Sequence, residues 1–163
     1  MPLVGIVAKR RDIQAIKKEI REKSIEIVEI TKQSIENIKN IKFEEIIFLQ
    51  NINLDDDEYR YMNKIISNTE YLILNGDTKN DLLNKIQFQK PIKLITFGFN
   101  SKSTITISSV KNEKIIVCLQ RNIERIDKKI IESQEKEIRI NSIKGEKIYN
   151  ELVVFIIKEL HNL

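Results

Sequence analysis

The sequence predicts an α/β fold: a mainly parallel sheet with helices on both faces and a small antiparallel β extension near the C-terminus. Three observations carry this. Through residue 98, short apolar runs alternate with segments whose apolar residues recur at helical spacing. The runs are nearly all apolar, as strands buried on both faces of a parallel sheet must be. After residue 100, strand-like segments follow one another without a helical segment until residue 146.

The elements follow in order. "LVGIVA" (3–8) is a short apolar strand, and "DIQAIKKEI" (12–20) places Ile13, Ile16 and Ile20 on one helical face. "SIEIVEI" (24–30) is β-branched and reads as a strand. "KQSIENIKNI" (32–41) returns to helical spacing through Ile35, Ile38 and Ile41. "EEIIFLQN" (44–51) is a third strand, and "DEYRYMNKIIS" (57–67) is a helix buried through Tyr59, Met62, Ile65 and Ile66. "YLILN" (71–75) is a fourth strand, and the helix expected over 79–86 has Leu82, Leu83 and Ile86 as its inner face. "PIKLITFG" (91–98) is a fifth strand, with Pro91 where no ladder hydrogen bond need form. "STITISSV" (103–110), "EKIIVCLQR" (113–121) and "EKEIRINSI" (135–143) read as an antiparallel appendage. In it Ile105 and Ile107, then Ile138 and Ile140, share a face. "EKIYNELVVFIIKELH" (146–161) closes the chain as a helix striped by Ile148, Leu152, Phe155, Ile156 and Leu160. Together these predict one compact Rossmann-like domain spanning residues 1–163.

Composition narrows the function classes. The longest apolar runs, such as "LVVFII" (152–157), are too short to span a bilayer. The opening "MPLVGIVAKRRD" puts apolar residues before basic ones, the reverse of a secretory leader, so a cytoplasmic location is expected. One cysteine, Cys118, excludes an intramolecular disulfide framework or a multi-cysteine metal site. The net charge of +4 comes from 28 basic and 24 acidic residues spread through the chain, which argues against a nucleic-acid-binding face. Heavy use of isoleucine, lysine and asparagine points to an AT-rich bacterial genome.

In a parallel sheet, ligands gather beyond the carboxyl ends of the strands. The segments there are "AKRRD" (8–12), "LQNINLDDDE" (49–58), "NGDT" (75–78) and "FGFNSKS" (97–103). The carboxylates of 55–58 could hold a hard cation such as Mg²⁺, but negative charge at a helix start is also ordinary capping, and capping is favoured. Asp77 or Thr78 is likewise expected to cap the helix at 79–86. Lys9, Arg10 and Arg11 at the first strand–helix junction read as a phosphate site or a solvated turn, the turn being favoured because no glycine-rich loop is present. His161 is expected to be a fraying terminal side chain, and Cys118 a small core residue. Ser108 and Ser109 lack an elbow motif and a histidine base.

Read in order, "LQNINLDDDE", a helix, "LILNGDT", a helix and "LITFGFN" resemble the latter part of the central, ATP-binding domain of Mur ligases. The antiparallel strands and the closing "GEKIYNELVVFII" helix extend the likeness over roughly residues 43–160. The family's motifs have the forms T-N-I-x-x-D-H-L-D, N-x-D-D and T-[FY]-G. By position Asn51, Asp55, Asn75 and Asp77 match, Asp56 replaces the metal-ligating histidine, and Thr78 replaces the second aspartate of the middle motif. The resemblance implies that Asn51, Asp55, Asp56, Asn75 and Asp77 line a remnant of the family's nucleotide and Mg²⁺ cleft.

It also implies what is missing. The family's "G-T-N-G-K-[ST]" phosphate loop has no counterpart, because the first strand runs into "KRRD"; the flanking substrate and lid domains have none either. The expectation is therefore a reduced, non-catalytic binding or scaffolding module, with no catalytic residue and no metal ligand assigned and its cofactor unknown. Its ligand would be a small molecule or a protein partner, in a cell-envelope or spore-wall setting. The alternative is one subunit of a two-chain ATP-dependent ligase whose phosphate loop comes from its partner.

Overall fold

The computed structural model describes residues 1–20, 24–140 and 145–163. The chain forms β1 (Leu3–Val7), α1 (Arg10–Glu19), β2 (Glu26–Glu29), α2 (Ile35–Ile38), β3 (Glu45–Phe48), α3 (Asp56–Ser67), β4 (Tyr71–Asn75), α4 (Leu82–Lys85) and β5 (Lys93–Gly98). It continues through β6 (Ile105–Lys111), β7 (Lys114–Leu119), β8 (Ile123–Glu124), β9 (Ile130–Ile131), β10 (Gln134–Arg139) and α5 (Glu146–His161). Eight strands make one sheet in the order β10-β7-β6-β5-β4-β3-β1-β2, and β8 and β9 form a separate hairpin. From β2 across to β6 every pairing is parallel, while β6–β7 and β7–β10 are antiparallel.

Two apolar cores lie on opposite sides of this sheet. Val4, Ile6, Ile47, Ile73, Ile95 and Phe97 point to the side covered by α1 and α5. Val7, Ile46, Phe48, Leu72 and Leu74 point to the side covered by α2, α3 and α4. Alternate residues of each strand thus enter different cores, so β3 and β4 read as unbroken apolar runs. The second side is not covered all the way across. Beyond β4, Leu94 of β5 is 45% exposed, and Ile116 and Cys118 of β7 are half-buried there. Cys118 is therefore not the small core residue that its apolar strand suggests.

Two helices are shorter than their periodicity predicts. Across 32–41 only Ile35–Ile38 is helical. Thr31 and Ser34 bond to each other's backbone instead, Thr31 N donating to Ser34 Oγ at 2.9 Å and Ser34 N to Thr31 Oγ1 at 3.2 Å. Such local bonds compete with the helix for backbone groups. Ile35, Ile38 and Ile41 still pack in the second core, so the periodicity marks the buried face but not the length of the helix. Across 79–86 the helix is Leu82–Lys85, and Asn80 Oδ1 accepts from Leu82 N at 2.9 Å at its start.

The connection from β5 to β6 departs from the usual crossover. Parallel neighbours normally need a helix between them, yet here a short loop suffices, and Phe97 and Gly98 pair with Ile105 and Thr106. Thr96 and Thr104 stitch the loop shut, Thr104 N donating to Thr96 Oγ1 at 3.0 Å and Thr96 N to Thr104 Oγ1 at 3.3 Å. Since β5 ends at this pairing, the remainder of β6 runs past the carboxyl end of the parallel sheet. β7 and β10 accompany it as a three-stranded wall, with Ser109 beyond a bulge in β6 and exposed with Ser108. The expected appendage is thus the continuation of the main sheet. The part of the third segment at 141–143 lies outside the described residues.

The β8–β9 hairpin has no strong signal in the sequence. It buries Ile123 and Ile131 in the first core, and at the amino edge Lys93 Nζ donates to Glu70 Oε1 at 2.7 Å, to Glu124 Oε1 at 2.9 Å and to Tyr71 OH at 3.1 Å. Lys128 reaches Glu70 as well. Burial alone would lower the Lys93 pKa, but these bonds outweigh it and raise it.

Candidate functional site

The parallel part of the sheet has the order 2-1-3-4-5-6, so the chain reverses its winding between β1 and β3. α1, which follows β1, packs on one face and α3, which follows β3, on the other, the arrangement that places a crevice beyond the carboxyl ends of those two strands. Ala8 and Lys9 leave β1 there, and Leu49, Gln50 and Asn51 leave β3. Asn51 thus stands at the switch point. It is exposed, and its Oδ1 accepts from the neighbouring Ile52 N at 3.0 Å. Sequence reading could not place this crevice because strand order is a long-range property. The short link Ala8–Lys9 and the exposed Lys9, Arg10 and Arg11 that follow lie beside it.

Asn75 ends β4 with a buried side chain. Its Nδ2 donates to Leu49 O at 3.1 Å, tying the exit of β4 to the exit of β3, and its Oδ1 accepts from Asp77 N at 3.0 Å. Thr78 Oγ1 closes the same turn by donating to Asn75 O at 3.1 Å. This corner is built from one side chain that satisfies two backbone groups.

Asp77 does not cap α4. Its carboxylate accepts from Phe99 N at 2.6 Å, from Asn100 N at 2.8 Å and from the Tyr149 hydroxyl at 2.9 Å. It therefore binds the loop after β4 to the loop after β5 and to the first turns of α5. Gly98 makes room for this: its φ is +143°, and a Cβ there would collide with the Asp77 carboxylate. Burial raises the Tyr149 pKa, and the Asp77 charge adds to the effect, taking it to about 12. Phe99 packs edge-on against the Tyr149 ring at 5.9 Å. A second tie on α5 is Asn150, whose Nδ2 donates to Asp12 Oδ1 at 3.0 Å in the first turn of α1. Neither Tyr149 nor Asn150 was singled out in the sequence, since each lies far along the chain from its partner.

Asp55 has the capping role expected for it. Its Oδ1 accepts from Glu58 N at 2.9 Å, and Glu58 Oε2 accepts from Asp55 N at 2.8 Å, a complete capping box. Glu58 also pairs with Lys32 at 3.0 Å. Asp56 is exposed in the first turn of α3, where its charge suits the helix dipole. Among the described residues, no three His, Cys, Asp or Glu side chains are grouped as metal ligands would be. The carboxylates that the sequence picks out as cleft residues thus have structural bonds at Asp55 and Asp77, and a helix-start position at Asp56.

A polar groove of about 520 Å³ lies away from this edge, on the outer face of α3, between Arg60, Asn63, Lys64 and Ser67 on one side and Gln87 and Gln89 on the other. No helix among the described residues is long and apolar enough to cross a membrane. Comparison with protein-family models finds no match, and comparison with curated proteins finds none either.

Proposed function

We propose that the chain is a non-catalytic binding or scaffolding module, similar in design to a reduced Mur ligase central domain, that works through the carboxyl edge of its sheet. The observation that supports it most is the β1–α1 junction. Only Ala8 and Lys9 separate the strand from the helix at the switch point. Phosphoryl transfer rests on positioning and charge stabilisation by a loop wrapped around the phosphates, with a metal held beside it. A two-residue link has no room for such a loop.

The Asp77 clamp supports the same reading. A carboxylate that already accepts three hydrogen bonds has most of its acceptor sites committed to the fold, with about one lone pair, on Oδ1, left for a cation. What remains is a rigid, polar rim: Asn51 and the basic residues at the crevice, Asn100 at the β5 exit, and the β6–β7–β10 wall to one side. Such a rim suits recognition of a polar small molecule or of a protein surface, and the family resemblance points to a cell-envelope or spore-wall context.

A thermal-shift screen with nucleotides, Mg²⁺ and cell-wall precursors tests this, followed by amide-resolved NMR on any hit. The reading predicts that a ligand shifts resonances of 49–53, 75–78 and 98–100 without being turned over. Perturbations confined to the outer face of α3, or ligation of an amino acid to a precursor by the protein with a second chain, would replace it.

A further inference from the structure

One buried acid–base pair is not used by the carboxyl edge. Glu45 opens β3 at the opposite, amino edge of the sheet and is fully buried. His161 ends α5, and instead of fraying, its side chain is 5% exposed, with Nε2 3.4 Å from Glu45 Oε1. That is an ion-pair contact without hydrogen-bond geometry, and both Glu45 oxygens and His161 Nε2 are otherwise unpartnered. Buried polar groups nearly always have partners, and an unpaired buried charge is costly. A pair kept in this state invites a role for the proton between them.

We propose that Glu45 and His161 form a proton-operated latch that holds the last turn of α5 on the sheet and loosens as pH rises. The surroundings penalise a charge on Glu45. β1 is apolar throughout Leu3–Val7 and places Val4 beside Glu45. On β4 the register partner is Tyr71, whose hydroxyl is committed to Lys93 and to the Glu124 carbonyl. Glu44 adds a like charge next in sequence. On α5, Glu159 is spent on Lys136 at 2.7 Å and Arg125 at 3.7 Å, and Lys158 lies in the same last turn. The last turn of α1 carries Lys17, Lys18 and Glu19. Around the latch, Ile126 N donates to Leu160 O and Arg125 Nη1 to Asn162 Oδ1, so the turn it holds also anchors the β8–β9 hairpin.

Burial raises the Glu45 carboxyl above its ordinary 4.5, His161 offsets part of that, and Glu44 adds to it. A carboxyl raised on docking takes up a proton when α5 docks. Docking is therefore strongest below 4.5 as far as this group is concerned, and weakens as pH climbs through the docked value. Within that window Glu45 links one proton to docking, so its contribution to opening of the last turn should increase about tenfold per pH unit.

Carbon-detected NMR of the Glu45 carboxyl, with amide exchange of residues 158–163 corrected for intrinsic rates, reads this directly. In the wild type the carboxyl should titrate above the exposed glutamates, and last-turn protection should fall across the same interval. Glu45→Gln should remove that pH slope, and His161→Gln should move the carboxyl midpoint further up by removing the lowering influence. A Glu45 carboxyl that titrates with the exposed glutamates overturns the latch, and that reading needs no variant to fold. So does a wild-type slope that persists in Glu45→Gln, or a midpoint unmoved in His161→Gln.

Discussion

Removing the Asp77 carboxylate would leave the Phe99 and Asn100 amides and the Tyr149 hydroxyl to find other partners. Hydrogen bonds to a charged acceptor are individually worth about 1.5–3 kcal/mol, less where water can replace them. Because Asp77 is exposed and water can take over part of these bonds, Asp77→Ala should cost about 1–2 kcal/mol in urea unfolding. Asn75→Ala should cost about 1–3 kcal/mol, since it strands the buried Leu49 carbonyl. Tyr149 adds an alkaline signature. Its pKa is raised from 10.0 to about 12, so the stability it contributes is whole below 10 and is lost as pH rises through 12. Unfolding at pH 9 and pH 11 should therefore show a smaller pH loss in Tyr149→Phe than in the wild type. "NGDT" announced a turn with good polar side chains, but not what those side chains hold. Asp77 bonds to residues twenty-two and more positions away, and such partners are set by strand order rather than by local pattern.

At the scale of elements, α3 and α5 were fully legible, because each combines a long apolar stripe with a clear start or stop. The buried face of α3 is Tyr59, Met62, Ile65 and Ile66, as the spacing requires. Asp55→Ala should cost about 1 kcal/mol through loss of the capping box, with no dependence on added Mg²⁺. α5 is held by its apolar face: Leu152 is fully buried, and Leu152→Ala should cost about 2–5 kcal/mol in the same unfolding assay. α2 and α4 are shorter than their periodicity because three isoleucines or leucines at helical spacing show which face is buried, not how many turns form. Thr31, Ser34 and Asn80 decide the lengths by taking backbone hydrogen bonds for themselves. The β8–β9 hairpin was missed for a related reason. Its two-residue strands are too short to show a period, although each buries an isoleucine, Ile123 and Ile131, in the first core, and Lys93, Glu70 and Glu124 tie it to the amino edge.

At the scale of the whole molecule, the parallel sheet was readable because Ile46, Ile47 and Phe48, or Leu72, Ile73 and Leu74, are apolar in succession and so must be buried on two faces. The three antiparallel strands β6, β7 and β10 are readable too, but the strand order, the switch point between β1 and β3, and the position of those strands beyond the carboxyl edge are not. All three come from pairings between distant segments. They place Asn51 at the crevice, put the Asn75 corner one strand away, and give the first strand a two-residue exit where a phosphate loop would have to stand. The most direct test of a non-catalytic carboxyl edge is ATP turnover by the purified protein with Mg²⁺, before and after repurification. The account predicts phosphate release no faster than the protein-free blank. Turnover that persists through repurification and disappears in Asp55→Ala/Asp56→Ala would contradict it.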